Sequence, residues 1–476
     1  MRKRHDGHSP NAEPRFCIEP SRSIAVIGQY DVVVVGGGPA GCAAALYAAR
    51  HGARTLLLER AGYLGGATVS QLVVVILSTN GVDFQGVWHE FMAILAREQA
   101  VRIARYSDEG TAIRGTVDPE IVKFAWDELL AEAGVDVLHH TLAAGTLVQD
   151  GAMKGLFVET VAGRRVVLGH RFIDCTGDGA VAAQAGVPWD QGDDKHAYAM
   201  ALTKVLRIGN VRRGERPLTP EEIAELESAW QHACETGEYT TPVITSGRVL
   251  HYARTLRWAL PGRRPEIMLV VSRVLRVNPL DPWELSEAER EGRDQARQLA
   301  DFYRKYVPGC EESYLLDTSN HIGVRSSRRI RGLAVVTAED VMEFRKYPDG
   351  IAKGSWDIDV WPADSVTASP VDRQSQAYKE RKARLAGGEY YDIRYGALVA
   401  KDVDNLMVAG RCLSAHHIAQ SSLRIQQTCM ATGQAAGTAS AISLAQGKTP
   451  RELDPSIVVA ALARDRRAVR PAFDCL

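Results

Sequence analysis

The chain predicts an α/β fold: a Rossmann-like dinucleotide-binding sheet, interrupted by a small antiparallel β insertion and by a larger inserted α+β unit. Three observations in its first sixty residues carry that reading. Four consecutive valines, Val32 to Val35, follow Asp31 and fit a strand buried on both faces. Gly36-Gly37-Gly38-Pro39-Ala40-Gly41 comes next and opens an alanine-rich run with helical spacing to Arg50. Thr55 to Leu58 then reads as a second strand, ending in Glu59. In G-x-G-x-x-G, Gly36 makes the tight turn, Gly38 lets the backbone approach a pyrophosphate, and Gly41 lets helix and sheet pack closely. Pro39 suits the first helical turn. The helix N-terminus offers unpaired N–H groups and partial positive charge to phosphates, and Glu59 is placed to hold a ribose hydroxyl.

At 476 residues, 45% hydrophobic and 24% charged, the chain has room for two or three packed units, and its composition excludes disorder. With 57 basic against 58 acidic residues the net charge is −1, so no global field attracts nucleic acid or an anionic membrane. Small molecules are the expected partners. Eight cysteines, at 17, 42, 175, 234, 310, 412, 429 and 475, form no C-x-x-C pair and no Cys/His spacing suited to zinc. Reduced thiols in a cytoplasmic protein are expected, with no metal. The stretch Met1 to Gln29 begins with Arg2, Lys3 and Arg4 but lacks an apolar signal core, so it is expected as a tail with a short strand at Ile24 to Ile27. Leu72 to Leu77 is apolar but too short to span a bilayer, and reads as a buried segment.

Gly62 to Ser70 forms a second glycine-rich turn, suited to lying against an extended cofactor. Helices are predicted on the stripe Val87, Phe91, Ile94 and Leu95, and from Asp118-Pro119 to Gly134. Val135 to Leu138, Leu142 to Val148, Met153 to Thr160 and Arg165 to Leu168 read as strands of a small antiparallel sheet. Phe172 to Asp174 returns as an apolar strand into Cys175-Thr176-Gly177-Asp178-Gly179. This turn also reads G-x-G-x-x-A, but its strand is short and no acidic strand end follows at the required distance, so it is expected to close over the first cofactor. Residues 196–316 read as a separate layer, with strand-like Ile267 to Val271 and helices over Pro220 to Thr236 and Pro282 to Tyr306. No linker marks its boundaries, so insertion into the cofactor domain is expected. Asn405 to Arg411 reads as another buried strand, and Thr428 to Ala445 as a helix of small residues. Gly433 and Gly437 allow close backbone approach there, while Thr428, Gln434 and Ser440 make the segment too polar for a membrane dimer. The expected division is an N-terminal extension (1–29), a cofactor domain in two parts (30–195 and 401–454), a substrate or cap domain (196–400) and a C-terminal segment (455–476).

The series Asp31 to Glu59, Gly62 to Thr68, Ile173 to Gly179, Gly323-Val-Arg325-Ser-Ser-Arg328-Arg329-Ile330 and Asn405 to Gly437 resembles one family. It is similar to the FAD-dependent oxidoreductases of the glutathione-reductase-like superfamily, in the broad bacterial branch distantly similar to fumarate reductase flavoproteins. The resemblance covers about Tyr30 to Asp454 and implies an extended FAD. It places Gly36, Gly38, Pro39, Ala40 and Gly41 at the pyrophosphate, Glu59 with Arg60 at the adenosine ribose, and Gly65, Gly66, Thr68 and Ser70 beside pyrophosphate and flavin. Gly177 and Asp178 close over the cofactor, Gly410 and Arg411 approach the ribityl chain, and Gly433, Gln434 and Ala435 meet the flavin pyrimidine carbonyl. A helix N-terminus in that last position stabilises the anionic edge of a reduced flavin. The chain departs from the family pattern at Arg325-Ser326 (usually Arg-Glu), Arg394-Tyr395 (usually Pro-Tyr) and Asp359-Val360-Trp361 (usually Asp-x-His). All three lie on the substrate side, so substrate identity does not transfer.

Hydride transfer at flavin N5 needs a donor carbon held over the ring and often a base. Ser414 to Arg424 is the densest polar loop, with His417 as the preferred base or orienting residue and His416 in reserve; bracing of the loop is an equal alternative. Arg424, Arg325 and Arg328 suit an anionic substrate group or the stabilisation of flavin charge, with structural salt bridges as the competing reading; for Arg328, Arg329 and Arg331 together, solvated or paired surface charge is favoured. Tyr390, Tyr391 and Tyr395 could line the pocket or sit in the core, as could Trp356 and Trp361. The expected function is an FAD-dependent dehydrogenase or oxidase acting on a small metabolite, with oxygen, a quinone or a carrier protein as electron acceptor. No second full nucleotide motif and no C-x-x-x-x-C occur, which argues against a disulfide reductase with its own NADPH domain. Three alternatives stand beside it. A flavin monooxygenase is disfavoured by Gly410-Arg411 in place of Gly-Asp. A flavin-dependent lyase or hydratase would turn over no net electrons. An RNA-modifying flavoprotein is disfavoured by charge. A homo-oligomer stays open.

Overall fold

A computed structural model describes residues 17–79, 86–105, 112–193, 196–212, 218–247, 249–250, 266–366, 372 and 374–465, and every structural statement below concerns these residues. Of the expected N-terminal tail and C-terminal segment, residues 1–16 and 466–476 lie outside them.

The valine strand runs Val26–Val35 and has parallel neighbours on both edges. Thr55–Leu58 pairs on one edge, with Asp136–Leu138 parallel beyond it, and Gly163–Asp174 pairs on the other. With both faces also covered, Val32, Val33 and Val34 are fully buried, as a central parallel strand requires. The expected strands Arg165 to Leu168 and Phe172 to Asp174 are one continuous element, Gly163–Asp174. Its far edge serves two partners. Gly163 to Leu168 pairs antiparallel with Ala152–Thr160, which pairs with Leu142–Gln149, while Phe172 to Asp174 pairs parallel with Leu406–Val408. The antiparallel insertion is therefore an extension of the main seven-stranded sheet and not a sheet of its own. Asp136–Leu138, expected within it, joins the parallel part instead. The hairpin supplies backbone partners to an edge that would otherwise be open. Val26 and Ile27, expected as a separate short strand, are the start of the valine strand.

Helix Pro39–Arg50 packs between this sheet and helix Gln426–Ala445. A Cβ on Gly433 would lie 2.0 Å from the carbonyl oxygen of Ala40, and one on Gly437 would lie 2.1 Å from that of Ala44. Backbone touches backbone at this crossing, so only glycine fits at the two positions. A three-stranded antiparallel sheet, in the order Val75–Thr79, Ala112–Val117, Val101–Arg105, adds a layer that the sequence does not announce. Arginines at 102, 105 and 114 interrupt the apolar period there.

Between residues 196 and 330 the chain builds a second hydrophobic cluster. Leu206–Gly209 is the central strand of an antiparallel sheet with Ile267–Leu269 and Tyr314–Thr318. Helices Pro220–Glu235 and Pro282–Tyr306 bury Leu226, Leu299 and Phe302 with the strand residues Leu206 and Ile208. Each helix starts at the residue its sequence marks: Thr219 forms a capping box with Glu222, and Asp281 accepts from the N–H groups of Trp283 and Glu284. No helix among the described residues is long and apolar enough to cross a membrane.

Candidate active site

The carboxyl ends of four parallel strands meet in register, Val35 beside Leu58 and Asp174, and Asp174 beside Val408. A cavity of about 630 Å³ opens over these ends, where open α/β sheets bind their ligands. Gly36, Gly38, Pro39, Ala40, Glu59, Arg60, Gly66 and Ser70 line one part of it. Gly36 has φ +101°, and a Cβ there would lie 2.6 Å from the carbonyl oxygen of Cys175, so the turn itself demands glycine. A Cβ on Gly41 would lie 1.8 Å from the carbonyl oxygen of Gly36. Gly38 differs. The nearest atom to a Cβ there is Gly66 Cα at 3.8 Å, so internal packing leaves space above Gly38, and that space belongs to the cavity. Gly38 is also the N-cap of Pro39–Arg50, with no side chain bonded to the leading N–H groups. The Glu59 carboxylate accepts from the Gly37 N–H at 2.6 Å and the Ala61 N–H at 2.7 Å, which fixes it against the cavity wall. An anionic dinucleotide fits this cradle in charge and in shape.

Gly41, Gly65 and Thr68 stand one layer behind the lining. The Gly65 N–H donates to the Gly37 carbonyl, and Thr68 Oγ1 donates to Gln426 Oε1 at 2.8 Å, so these residues hold the two turns and the C-terminal helix together. Gly177, Asp178, Gly410 and Arg411 do line the cavity. Burial pushes the Asp178 pKa up, but Arg411 at 2.7 Å and the Ser327 hydroxyl at 2.7 Å outweigh it, and the carboxyl titrates below its ordinary value. Asp174 is fully buried and works as a cap: it accepts from Thr176 and from the Ala182 N–H, and burial raises its pKa.

The C-terminal helix starts at Gln426, two residues before the expected Thr428, and its N-cap Ile425 brings no capping side chain. Its first turn faces the cavity through Ile425, Gln426 and Cys429. Gly433, Gln434 and Ala435, expected at the flavin, lie deeper along the helix and do not line the cavity. Gly433 serves the crossing with Ala40, Ala435 is in the core, and the Gln434 side chain reaches the Val87 N–H at 3.5 Å. Cys429 and Cys175 also line the cavity, and burial keeps both thiols protonated, pushing Cys429 up to about 12.

On the opposite wall, Arg325 and Arg424 line the cavity, and Tyr395, His416 and His417 do not. Tyr395 is buried, and its hydroxyl donates to the Pro450 carbonyl at 2.7 Å. His416 is exposed at the start of helix His417–Leu423. His417 lies among Gly192, Asp193 and Arg329; burial, aided by Arg329 and Arg424, lowers its pKa to about 4. The loop is turned this way because Gln420 donates to the Arg411 carbonyl at 2.8 Å, which fixes how the short helix lies. Arg328 holds the Asp178 carbonyl at 3.2 Å and stacks over Trp189, outside the cavity. Tyr391 is core, bonded to the Ser422 hydroxyl at 2.7 Å. Trp356 and Trp361 do form part of the cavity wall.

Thr203, Arg273, Glu289 and His321 also line the cavity, and sequence reasoning passed over all four. Arg273 follows the strand-like run Ile267 to Val271, a weak signal that nothing in the sequence separates from an ordinary strand end. No group of three or more His, Cys, Asp or Glu side chains among the described residues is arranged to hold a metal ion.

A family model described as FAD dependent oxidoreductase matches residues 31–464. Thiamine thiazole synthase of Sulfolobus acidocaldarius is 27% identical over 203 residues, 41% of this chain and 68% of that protein. Digeranylgeranylglycerophospholipid reductase of Thermoplasma volcanium is 30% identical over 142 residues, 26% of this chain and 34% of that protein. Among solved structures, a geranylgeranyl bacteriochlorophyll reductase-like protein from Thermoplasma acidophilum aligns with a TM-score of 0.44 at 14% identity, over 92% of this chain and 84% of that one.

Proposed function

The chain belongs to the FAD dependent oxidoreductase family, and from that premise we propose that it is a dehydrogenase or oxidase moving a hydride between a small organic metabolite and its FAD. The cofactor cradle is consistent with this: Glu59 would hold the adenosine ribose, the first turn of Pro39–Arg50 the pyrophosphate, and the open N-terminus of Gln426–Ala445 the electron-rich edge of the flavin. Bound FAD supplies the two-electron chemistry. The observation that carries the proposal is that one continuous cavity joins the dinucleotide clamp to a second wall from the inserted layer, formed by Thr203, Val205, Val270, Arg273 and the stretch His321 to Arg325.

The residues lining the cavity have separable tasks. Val73, Val75, Trp356 and Trp361 exclude water from part of the cavity. Arg424 is anchored by Asp359 through two contacts of 2.9 Å, to its carbonyl and its carboxylate, so its guanidinium presents a fixed face. His321 offers a proton acceptor. Burial lowers its pKa, Arg60 and Lys204 lower it further, and Glu289 and Glu59 oppose, leaving a net decrease and a neutral imidazole at neutral pH. The test is direct. The FAD-loaded protein is mixed anaerobically with a panel of metabolites, and saturable bleaching of the flavin absorption band is the expected result. Reoxidation by oxygen, a soluble quinone or a carrier protein then identifies the acceptor. Protein that takes up no FAD, or flavin that no metabolite bleaches and no reduced flavin returns to, would sink the proposal.

A further inference from the structure

Residues 320–323 bring His321 to the cavity and are held from three directions. Asn320 Nδ2 donates to the Tyr63 hydroxyl at 2.9 Å and the His321 N–H to the Ser70 carbonyl at 3.0 Å, both on the second glycine-rich turn. Gly323 exchanges backbone hydrogen bonds with Thr203. The third contact differs in kind. The Ile322 N–H donates at 2.7 Å to the Glu289 carboxylate, whose other oxygen accepts from Lys204 Nζ at 2.7 Å. Lys204 is only 1% exposed. Glu289 lies on helix Pro282–Tyr306, and Gly292 lets that helix come close: a Cβ there would lie 2.8 Å from the Cβ of Lys204. A neutral amide at position 289 could accept from Ile322 as well, and a buried ion pair gives little stability over an apolar pair of similar volume. Packing alone therefore does not call for a carboxylate and an ammonium here. The His321 imidazole makes no hydrogen bond among the described residues, so its surroundings act on it through charge and through the backbone that carries it.

We propose that Glu289 is a positioning residue for His321: it fixes the backbone beside the imidazole, and its charge, held in place by Lys204, stabilises the cation that His321 becomes on taking the substrate's proton. This deepens the hydride-transfer proposal above and rests on it. The donor loses a hydride, with its electron pair, to FAD and a proton to His321, and leaves with one new double bond. Partial burial disfavours the charged imidazole, Arg60 and Lys204 disfavour it further, and Glu289 and Glu59 favour it, Glu289 the more strongly of the two. Glu289 also outweighs Lys204, so loss of the whole pair still makes His321 harder to protonate.

The FAD-loaded protein carrying isotope-labelled histidine is titrated by NMR, with the His321 signal assigned by its loss in His321→Asn. Glu289→Gln keeps an acceptor for Ile322 and removes the charge, so His321 should titrate at lower pH than in the parent. The double variant Lys204→Met, Glu289→Gln leaves no unpaired buried ammonium; it should move the titration the same way by less, and it carries the test if Glu289→Gln does not fold. Where a metabolite of the panel bleaches the flavin, Glu289→Gln should slow reduction by about 3- to 10-fold, and Glu289→Ala, which also frees the Ile322 N–H, by at least about 10-fold more. A His321 that titrates alike in the parent and in both charge-removing variants, or a Glu289→Ala protein no slower than Glu289→Gln, would overturn the assignment. The two readings fail separately: a titration that moves in a protein whose flavin no metabolite bleaches counts against hydride transfer alone, and an unmoved titration in a protein whose flavin is bleached counts against Glu289 alone.

Discussion

His321 and His417 both titrate below an ordinary imidazole, for the same first reason, burial, yet the consequences differ because only His321 lines the cavity. As the base proposed above, His321 must be unprotonated to work, so flavin reduction should fall with decreasing pH through a pKa below 6.5. His321→Asn is expected to lower the reduction rate by about 100-fold or more and to abolish that acid limb, as stopped-flow measured across pH will show. His417 acts on stability. Its folded pKa of about 4 lies below the ordinary 6.5, so between those values the unfolded chain binds the extra proton. The stability contributed by keeping it neutral is complete above 6.5 and is lost progressively toward pH 4. His417→Asn should therefore flatten the drop in Tm over that window while leaving flavin reduction intact. A His417→Asn protein with the parent's pH dependence of Tm would remove this account.

At the scale of elements, glycine serves two purposes that substitution can separate. Gly433→Ala drives a Cβ into the backbone of Ala40, so the helix crossing must open, at a cost of about 1–3 kcal/mol or more. Gly38→Ala meets nothing closer than 3.8 Å in the protein itself. Thermal melting of the apoproteins should show a loss for Gly433→Ala and little change for Gly38→Ala, whereas FAD titration should show weakened binding for Gly38→Ala. Equal effects in both assays would mean that Gly38 is needed for packing after all. The same distinction explains what the sequence reveals. The clamp from Asp31 to Glu59 is legible because each part has a local cause: buried valines, a tight turn, a small-residue helix, an acidic strand end. The start of the last helix is harder, since Ile425 gives no capping signal and Gln426-Gln427 no apolar one. His417 looks reactive in sequence, but the direction it faces depends on Gln420 reaching Arg411, a tertiary contact with no local signature. Arg273 and His321 arrive from an inserted layer, and only the folded chain brings them to Glu59 and Gly38.

Considered whole, the molecule has one core around the seven-stranded sheet and another within the inserted layer, and the inserted layer reaches the cavity through Thr203, Val205, Val270 and Arg273, none of them a residue of that second core. A ligand held by both walls favours the state in which they are closed together. FAD at a hundred times its dissociation constant should add about 2.7 kcal/mol, and protein stripped of FAD should melt at lower temperature, with two separable transitions that merge on reconstitution. Calorimetry that finds one transition with and without FAD would show that the two cores already unfold as a unit.

The crossing of Gly433 and Gly437 over Ala40 and Ala44 also bears on how the protein is made. The phosphate-binding helix leaves the ribosome long before the helix that seals it, Pro39–Arg50 ahead of Gln426–Ala445. Until Gln426–Ala445 is made, the backbone of Ala40 and Ala44 lacks this cover, which must be found across a long stretch of sequence. Contacts of such long separation form late and slowly. Secure capture of the cofactor is therefore expected only once Gln426–Ala445 has been made, and a nascent chain stalled before Gln426 should release FAD that the finished protein retains.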